Sequence, residues 1–231
     1  MRSLLMGGQA CIVYGGAEFS RDTDILVLAD DGNLARLAAA VGELEAEVIA
    51  VPPFEKRHLE AGHAVHFRCH ARGVEGMRLD VMARVRGLAD FALLWQRRST
   101  IDTVDGPIEL LALSDLVTAK KTQRDKDWPM ITRLVEADYA THAPGADTDR
   151  LAFWLTEART PALLIEIARA HPNAVRVAAA GRPLLAHALE GDSGALASAL
   201  RAEEQGEREA DRAYWAPLRA ELEQLRARRR G

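Results

Sequence analysis

Residues 4 to 28 read LLMGGQACIVYGGAEFSRDTDILVL. Residues 3 to 6, SLLM, have the apolar content of a short buried strand, which the pair Gly7-Gly8 stops. QACIVYG has room for a turn or two of helix, and Gly15-Gly16 turns the chain again. DTDILVLAD then has the apolar, β-branched content of an inner strand. Asp22 and Asp24 are two apart on it, so their side chains leave on the same face.

Working outward, residues 33 to 44 show helical spacing behind an Asn cap, and VIAVPPF is a short strand broken by prolines. AVHFRCHA (64 to 71) and MRLDVMAR (77 to 84) alternate on either side of RGVEG, which predicts a β-hairpin. In its second strand Leu79 and Val81 share one face, and Asp80 takes the other with Arg78 and Met82. Residues 88 to 97 are helical, TIDTV and IELLAL form a second hairpin around Asp105-Gly106, and Ser114 caps a helix that runs to Trp128-Pro129. A further helix covers about 129 to 139.

THAPGADTD, 141 to 149, is a linker, beyond which no strand pattern survives. Thr160-Pro161 starts a helix, and 194 to 229 is helix-forming with a kink expected at Pro217. The order predicts an α+β fold: a mixed β-sheet flanked by helices in a domain over 1–141, followed by an all-helical C-terminal module over 142–231.

Bulk composition narrows the function. With 48% apolar and 28% charged residues and a net charge of -4, the chain is an ordinary globular one with no bulk reason to coat nucleic acid or a membrane surface. Cys11 and Cys69 lie far apart in apolar stretches, which argues against a disulfide framework. No apolar run approaches a membrane span and MRSLLMGG is too short for a signal peptide, so a cytoplasmic location without membrane partners is expected. Only four of the 30 basic residues are lysine, and Lys120, Lys121 and Lys126 fall within seven residues, which singles out that segment.

Two carboxylates a few ångströms apart repel, and one pKa rises unless a cation lies between them. A divalent ion removes the conflict, and Mg²⁺ typically takes one or two carboxylates plus substrate phosphate oxygens. Asp80 supplies a third carboxylate, and three acidic groups beside a glycine turn suit metal-assisted phosphoryl transfer. Gly7-Gly8, between strand and helix, lets backbone N–H groups approach a triphosphate; Gly15-Gly16 is assigned to turn geometry. Lys120 continues the helical stripe Leu113, Leu116, Val117, so its stem can lie along the core while its ammonium reaches a site edge. Lys121 is rotated away by about 100°.

GG, thirteen residues, DTD, Asp80 in RLDVM, and a downstream helix with lysine followed by RDKD: in this order the elements resemble the polymerase-β-like nucleotidyltransferase superfamily, over about residues 3 to 140. Within it the chain resembles minimal bacterial nucleotidyltransferases related to abortive-infection toxins. The resemblance implies an enzyme that moves a nucleoside monophosphate from an NTP to an acceptor such as RNA, protein or a small molecule. Mg²⁺ or Mn²⁺ would be bound by Asp22, Asp24 and Asp80, with Asp80 also the base. Gly7 and Gly8 would meet the nucleotide phosphates, the family's helix lysine and acidic residue would fall on Lys120 and Asp127, and an antitoxin partner is implied. The family often has Gly-Ser where this chain has Gly-Gly, so a hydroxyl contact to phosphate is missing at that point.

Other readings stand beside this one. The same residues serve a non-catalytic nucleotide- or partner-binding protein, or a metal-dependent phosphoesterase. Asp22 and Asp24 can be a solvated strand end paired with Arg21, Asp80 can pair with Arg78 or Arg84, and the run from Lys120 to Asp127 can be a solvated helix. His58, His63, His66 and His70 cluster in sequence, but His66 and His70 are too far apart along a strand to chelate, and surface or partly buried histidines are expected rather than a zinc site.

Overall fold

The computed structural model describes residues 1–230, the last of these by its backbone alone. The chain forms two compact units. Unit 1 comprises Met1–Val13, Ala17–Ala119 and the stretch from Ala213; unit 2 comprises Tyr14–Gly16 and Lys120–Arg212.

Unit 1 carries β1 (Ser3–Met6), α1 (Gly7–Val13), β2 (Asp22–Val27), α2 (Asp31–Glu43), β3 (Glu47–Val48), α3 (Lys56–Ala61), β4 (Val65–Arg68), β5 (Arg78–Met82), α4 (Phe91–Arg97), β6 (Ser99–Thr103), β7 (Gly106–Leu110) and most of α5 (Leu113–Lys120). The strands form one seven-stranded sheet in the order β3-β4-β5-β2-β1-β7-β6. β5 joins β2 in parallel and β7 joins β1 in parallel, whereas the other neighbours are antiparallel. This is the α+β fold expected, a mixed sheet with helices followed by helices alone.

Alternation along the strands sorts the two faces of the sheet. Ile25 and Val27 of β2, Val65 and Phe67 of β4, and Leu79 and Val81 of β5 pack with Leu37 and Val41 of α2 and Leu59 of α3. Asp22, Asp24, His66 and Asp80, at the alternate positions, therefore share the opposite face.

Local chemistry moved several boundaries. α2 is capped by Asp30, whose Oδ1 accepts from the Asn33 backbone N–H at 2.6 Å, and not by Asn33. Asn33 is instead fully buried: its amide accepts from the Arg2 N–H at 2.7 Å and donates to the Arg2 and Leu28 carbonyls at 2.9 Å. A buried amide satisfied three ways is worth more there than at a solvent-facing cap. Ser114 does not cap α5 but lies inside it, and its carbonyl accepts from Thr118 Oγ1. α5 ends at Lys120 rather than running on to Trp128.

Unit 2 contains α6 (Asp127–His142), α7 (Thr148–Glu157), α8 (Pro161–Ala170), α9 (Pro172–Ala178), α10 (Leu185–Glu190) and the first part of α11 (Ser193–Arg230). Pro161 and Pro172 occupy first-turn positions of α8 and α9, where the missing N–H costs nothing. Trp154, Leu164, Ile167, Val175 and Leu185 are buried, and the Trp154 indole N–H donates to Asp138 at 2.8 Å. Residues 141 to 149 span the end of α6 and the start of α7, which Asp147 caps. Pro217 lies within α11. No helix among the described residues is long and apolar enough to cross a membrane.

Candidate functional site

The strand register decides what stands beside what. β2 pairs with β5 so that Asp24 lies opposite Asp80 and Asp22 opposite Arg78. β4 adds His66 opposite Asp80, and β1 adds Met6 opposite Asp24. A row Met6, Asp24, Asp80, His66 thus crosses four strands, and like charges opposed in such a row repel unless cations intervene.

Protein cations answer part of that repulsion. Asp80 is held by Arg78, whose Nε lies 3.0 Å from Oδ1 and whose Nη2 lies 3.1 Å from Oδ2, and by His66 Nδ1 at 2.8 Å from Oδ1. Burial pushes the Asp80 carboxyl up, but the His66 and Arg78 contacts outweigh it and hold the group below the ordinary carboxylate range. The bond to Asp80, with the charges of Asp80, Asp22 and Asp24 behind it, raises the Arg78 guanidinium in turn. Arg21, named as an ion-pair partner for Asp22, lies over the Phe19 ring at 5.9 Å.

Gly7 follows β1 directly at a left-handed φ of +65°. A Cβ at Gly7 would run into the Asp24 carboxylate, and one at Gly8 would run into the Ser20 hydroxyl. Ser20 Oγ itself donates to the Asp22 carbonyl at 3.0 Å. The two glycines are therefore required by how closely the start of α1 approaches the strand that carries the carboxylates. At Gly15 an added Cβ would meet only Ala137 at 3.5 Å, so there the positive φ of +77° is the constraint.

These observations bear on whether a metal fits. Hard carboxylate oxygens at Asp22, Asp24 and Asp80 suit Mg²⁺ or Mn²⁺, and Gly7-Gly8 brings the start of α1 against the Asp24 carboxylate. Asp80 Oδ1 takes both Arg78 Nε and His66 Nδ1 while Oδ2 takes Arg78 Nη2, so a metal at Asp80 would share the carboxylate with the Arg78 fork.

Lys120 and Asp127 lie in unit 2 and pair with each other at 3.5 Å, both buried. The segment between them is not the continuous helix expected. Asp127 also accepts from Thr122 Oγ1 at 2.6 Å and Arg124 Nε at 2.7 Å, bonds that fold residues 121 to 126 back on the start of α6. Arg208 ties the same loop by donating to the Gln123 carbonyl at 3.0 Å and to Asp125 at 2.7 Å. Lys121 pairs with Glu157 at 2.8 Å. Nearby, a groove of about 600 Å³ is lined by Trp128, Arg133, Arg159 and Arg208 among others, with the Arg159 and Arg208 guanidinium groups each 5.6 Å from the Trp128 ring.

Sequence reasoning gave His66 no part in the site. A symmetrical turn over RGVEG would set Arg68 against Asp80; the observed turn is asymmetric, with Cys69 and Met77 still hydrogen-bonded across it, and sets His66 there. The alternation of β4 was a usable signal, since His66 and Arg68 share the face of Asp80.

No model of a known protein family matches the chain, and no curated protein sequence does. The crystal structure of an antigenic nucleotidyltransferase-like protein from Paracoccidioides brasiliensis is similar to it over 82% of this chain and 84% of that one, at 16% identity and a TM-score of 0.39. So loose a likeness says nothing of activity, which the carboxylate face has to carry.

Proposed function

We propose that the chain is a nucleotidyltransferase that uses Mg²⁺ or Mn²⁺ to move a nucleoside monophosphate from an NTP to an acceptor hydroxyl on RNA, protein or a small molecule, releasing pyrophosphate. The observation that carries this reading is the convergence of Asp22, Asp24 and Asp80 on one face of adjacent strands, with Gly7 packed directly against the Asp24 carboxylate.

Asp22, Asp24 and Asp80 would hold the metal, which when bound supplies positive charge to the triphosphate and lowers the acceptor hydroxyl's pKa. Gly7 and Gly8 are proposed to meet the nucleotide phosphates at the start of α1. Because His66 and Arg78 keep Asp80 a weak base, it suits holding charge better than taking the acceptor's proton unless Arg78 withdraws. Lys120 and Asp127 are proposed to meet the nucleotide once their mutual pairing opens. By the same reading the protein is the toxin of a toxin–antitoxin pair, and its expression should arrest growth in a way that Asp24→Asn abolishes.

Incubation with each labelled NTP, Mg²⁺ or Mn²⁺ and total cell RNA or protein should transfer label and release pyrophosphate. Asp22→Asn and Asp24→Asn should each reduce transfer by at least about 100-fold, as loss of transition-state charge stabilisation does. Transfer that survives both substitutions overturns the metal assignment. Magnesium-dependent NTP binding without transfer favours a non-catalytic binding protein, and release of orthophosphate without transfer favours a phosphoesterase.

A further inference from the structure

A second constellation lies in unit 1, away from the carboxylate face. α3 ends in a Schellman motif: Gly62, at φ +101°, donates to the Leu59 carbonyl and His63 donates its backbone N–H to the His58 carbonyl at 2.9 Å. That motif brings together the side chains of the two residues it joins, and an apolar pair commonly fills those positions. Here they are His58 and His63, 4% and 0% exposed, with ring centroids 5.9 Å apart.

The C-terminal part of α11 packs on this end of α3. A Cβ at Gly62 would meet Tyr214 Oη at 3.0 Å and Leu218 at 3.6 Å, and Glu221 is on the same helical stripe, three residues past Leu218. Glu221 Oε2 lies 2.9 Å from His63 Nε2, and Oε1 lies 3.9 Å from His58 Nδ1. One donor atom from each of the three residues falls within 4.8 Å of the other two.

The hydrogen bonding of the imidazoles is incomplete. His58 Nε2 and His63 Nδ1 are buried without a hydrogen-bond partner among the described residues. Without a cation His63 Nε2 donates to Glu221, but the far nitrogen of each ring is held by no bond, so the proton can move there and leave a lone pair facing Glu221. Each ring can present a lone pair there. The Glu221 side chain is 46% exposed, which leaves a water-accessible side to the cluster.

We propose that His58, His63 and Glu221 bind a divalent transition cation of the zinc class, which clasps the C-terminal part of α11 to the end of α3. Two imidazoles and a carboxylate are a recurrent zinc donor set, completed by a fourth ligand from solvent. The site is separate from the carboxylates of the proposed active centre: α3 packs through Leu59 on the face of the sheet opposite Asp24 and Asp80. Two of its three donors are imidazole nitrogens, which favour zinc, cobalt and nickel over magnesium.

The full chain, stripped with chelator and dialysed, should take up one Co²⁺ with the intense visible absorption of tetrahedral coordination. Zn²⁺ should displace it and raise the thermal midpoint. Glu221→Gln, at a half-exposed position that folding tolerates, should weaken binding by at least about 100-fold, the upper end of what losing even an outer-shell partner costs. His63→Gln should do the same, and Asp22→Asn with Asp24→Asn should leave the tetrahedral spectrum unchanged. The proposal is overturned if no tetrahedral Co²⁺ spectrum forms, if Glu221→Gln binds as tightly as the parent, or if the spectrum is lost only with the two aspartates. The Glu221 and aspartate variants decide the matter even if His63→Gln fails to fold.

Discussion

At the scale of single residues, Gly7 is the most constrained position near the carboxylates. It combines φ +65° with a neighbour, Asp24, that leaves no space for a Cβ. Gly7→Ala should therefore destabilise the fold by about 1–3 kcal/mol and displace the Asp24 carboxylate, read by urea unfolding and by Mn²⁺ titration. Asp80 makes a pH-dependent prediction whose sign follows from its lowered pKa. Its usual value is 3.8, so its contribution to stability is complete above about pH 4 and is lost as pH falls through the still lower folded-state value. The stability difference between the parent and Asp80→Asn should shrink on acidification below about pH 4, measured by denaturant melts across that range. The shared face of Asp22 and Asp24 could be read from the sequence, because spacing of two on a strand fixes it. Alternation puts His66 on the face of Asp80, but its partner could not be assigned, because that depends on how many residues the turn between β4 and β5 consumes.

Among elements, the pairing of β4, β5 and β2 sets the character of the carboxylate face. Arg78 stands opposite Asp22 and also grips its own strand neighbour Asp80, so one guanidinium answers charges on two strands. Arg78→Gln should lower stability without metal and tighten Mn²⁺ binding by roughly tenfold, about 1.4 kcal/mol, since a protein cation no longer competes for Asp80. Unchanged Mn²⁺ affinity in calorimetric titration would mean that Asp80 takes no part in metal binding. The hairpins around 72–76 and Asp105-Gly106, the strand of DTDILV and the helices after Thr160 and Asn33 were legible as element types, because alternation and helical periodicity are local properties. Their ends were less so. Asp30 captured the cap expected of Asn33 because Asn33 is drawn into the Arg2 and Leu28 backbone, and α5 stops at Lys120 because Asp127 binds the side chains of Thr122 and Arg124.

For the whole molecule, the return of the chain from Ala213 to unit 1 has the largest consequence for stability. Leu218 is buried and Glu221 reaches His63, so a chain ending at Arg212 should expose the end of α3 and unfold unit 1 at lower denaturant, while the buried Trp154 of unit 2 keeps its fluorescence transition. Simultaneous loss of both transitions would show that the units do not unfold independently. What the sequence by itself determined is the order of elements, the α+β class, the shared face of Asp22 and Asp24 and the helical character beyond residue 150, since each follows from periodicity or from residues a few positions apart. Only the tertiary structure decided which strands adjoin, hence that Asp80 stands between Asp24 and His66, and that Glu221 joins His58 and also His63, which lies 158 positions before it. Contacts of that kind depend on non-local packing, and no local pattern in the sequence encodes the partner.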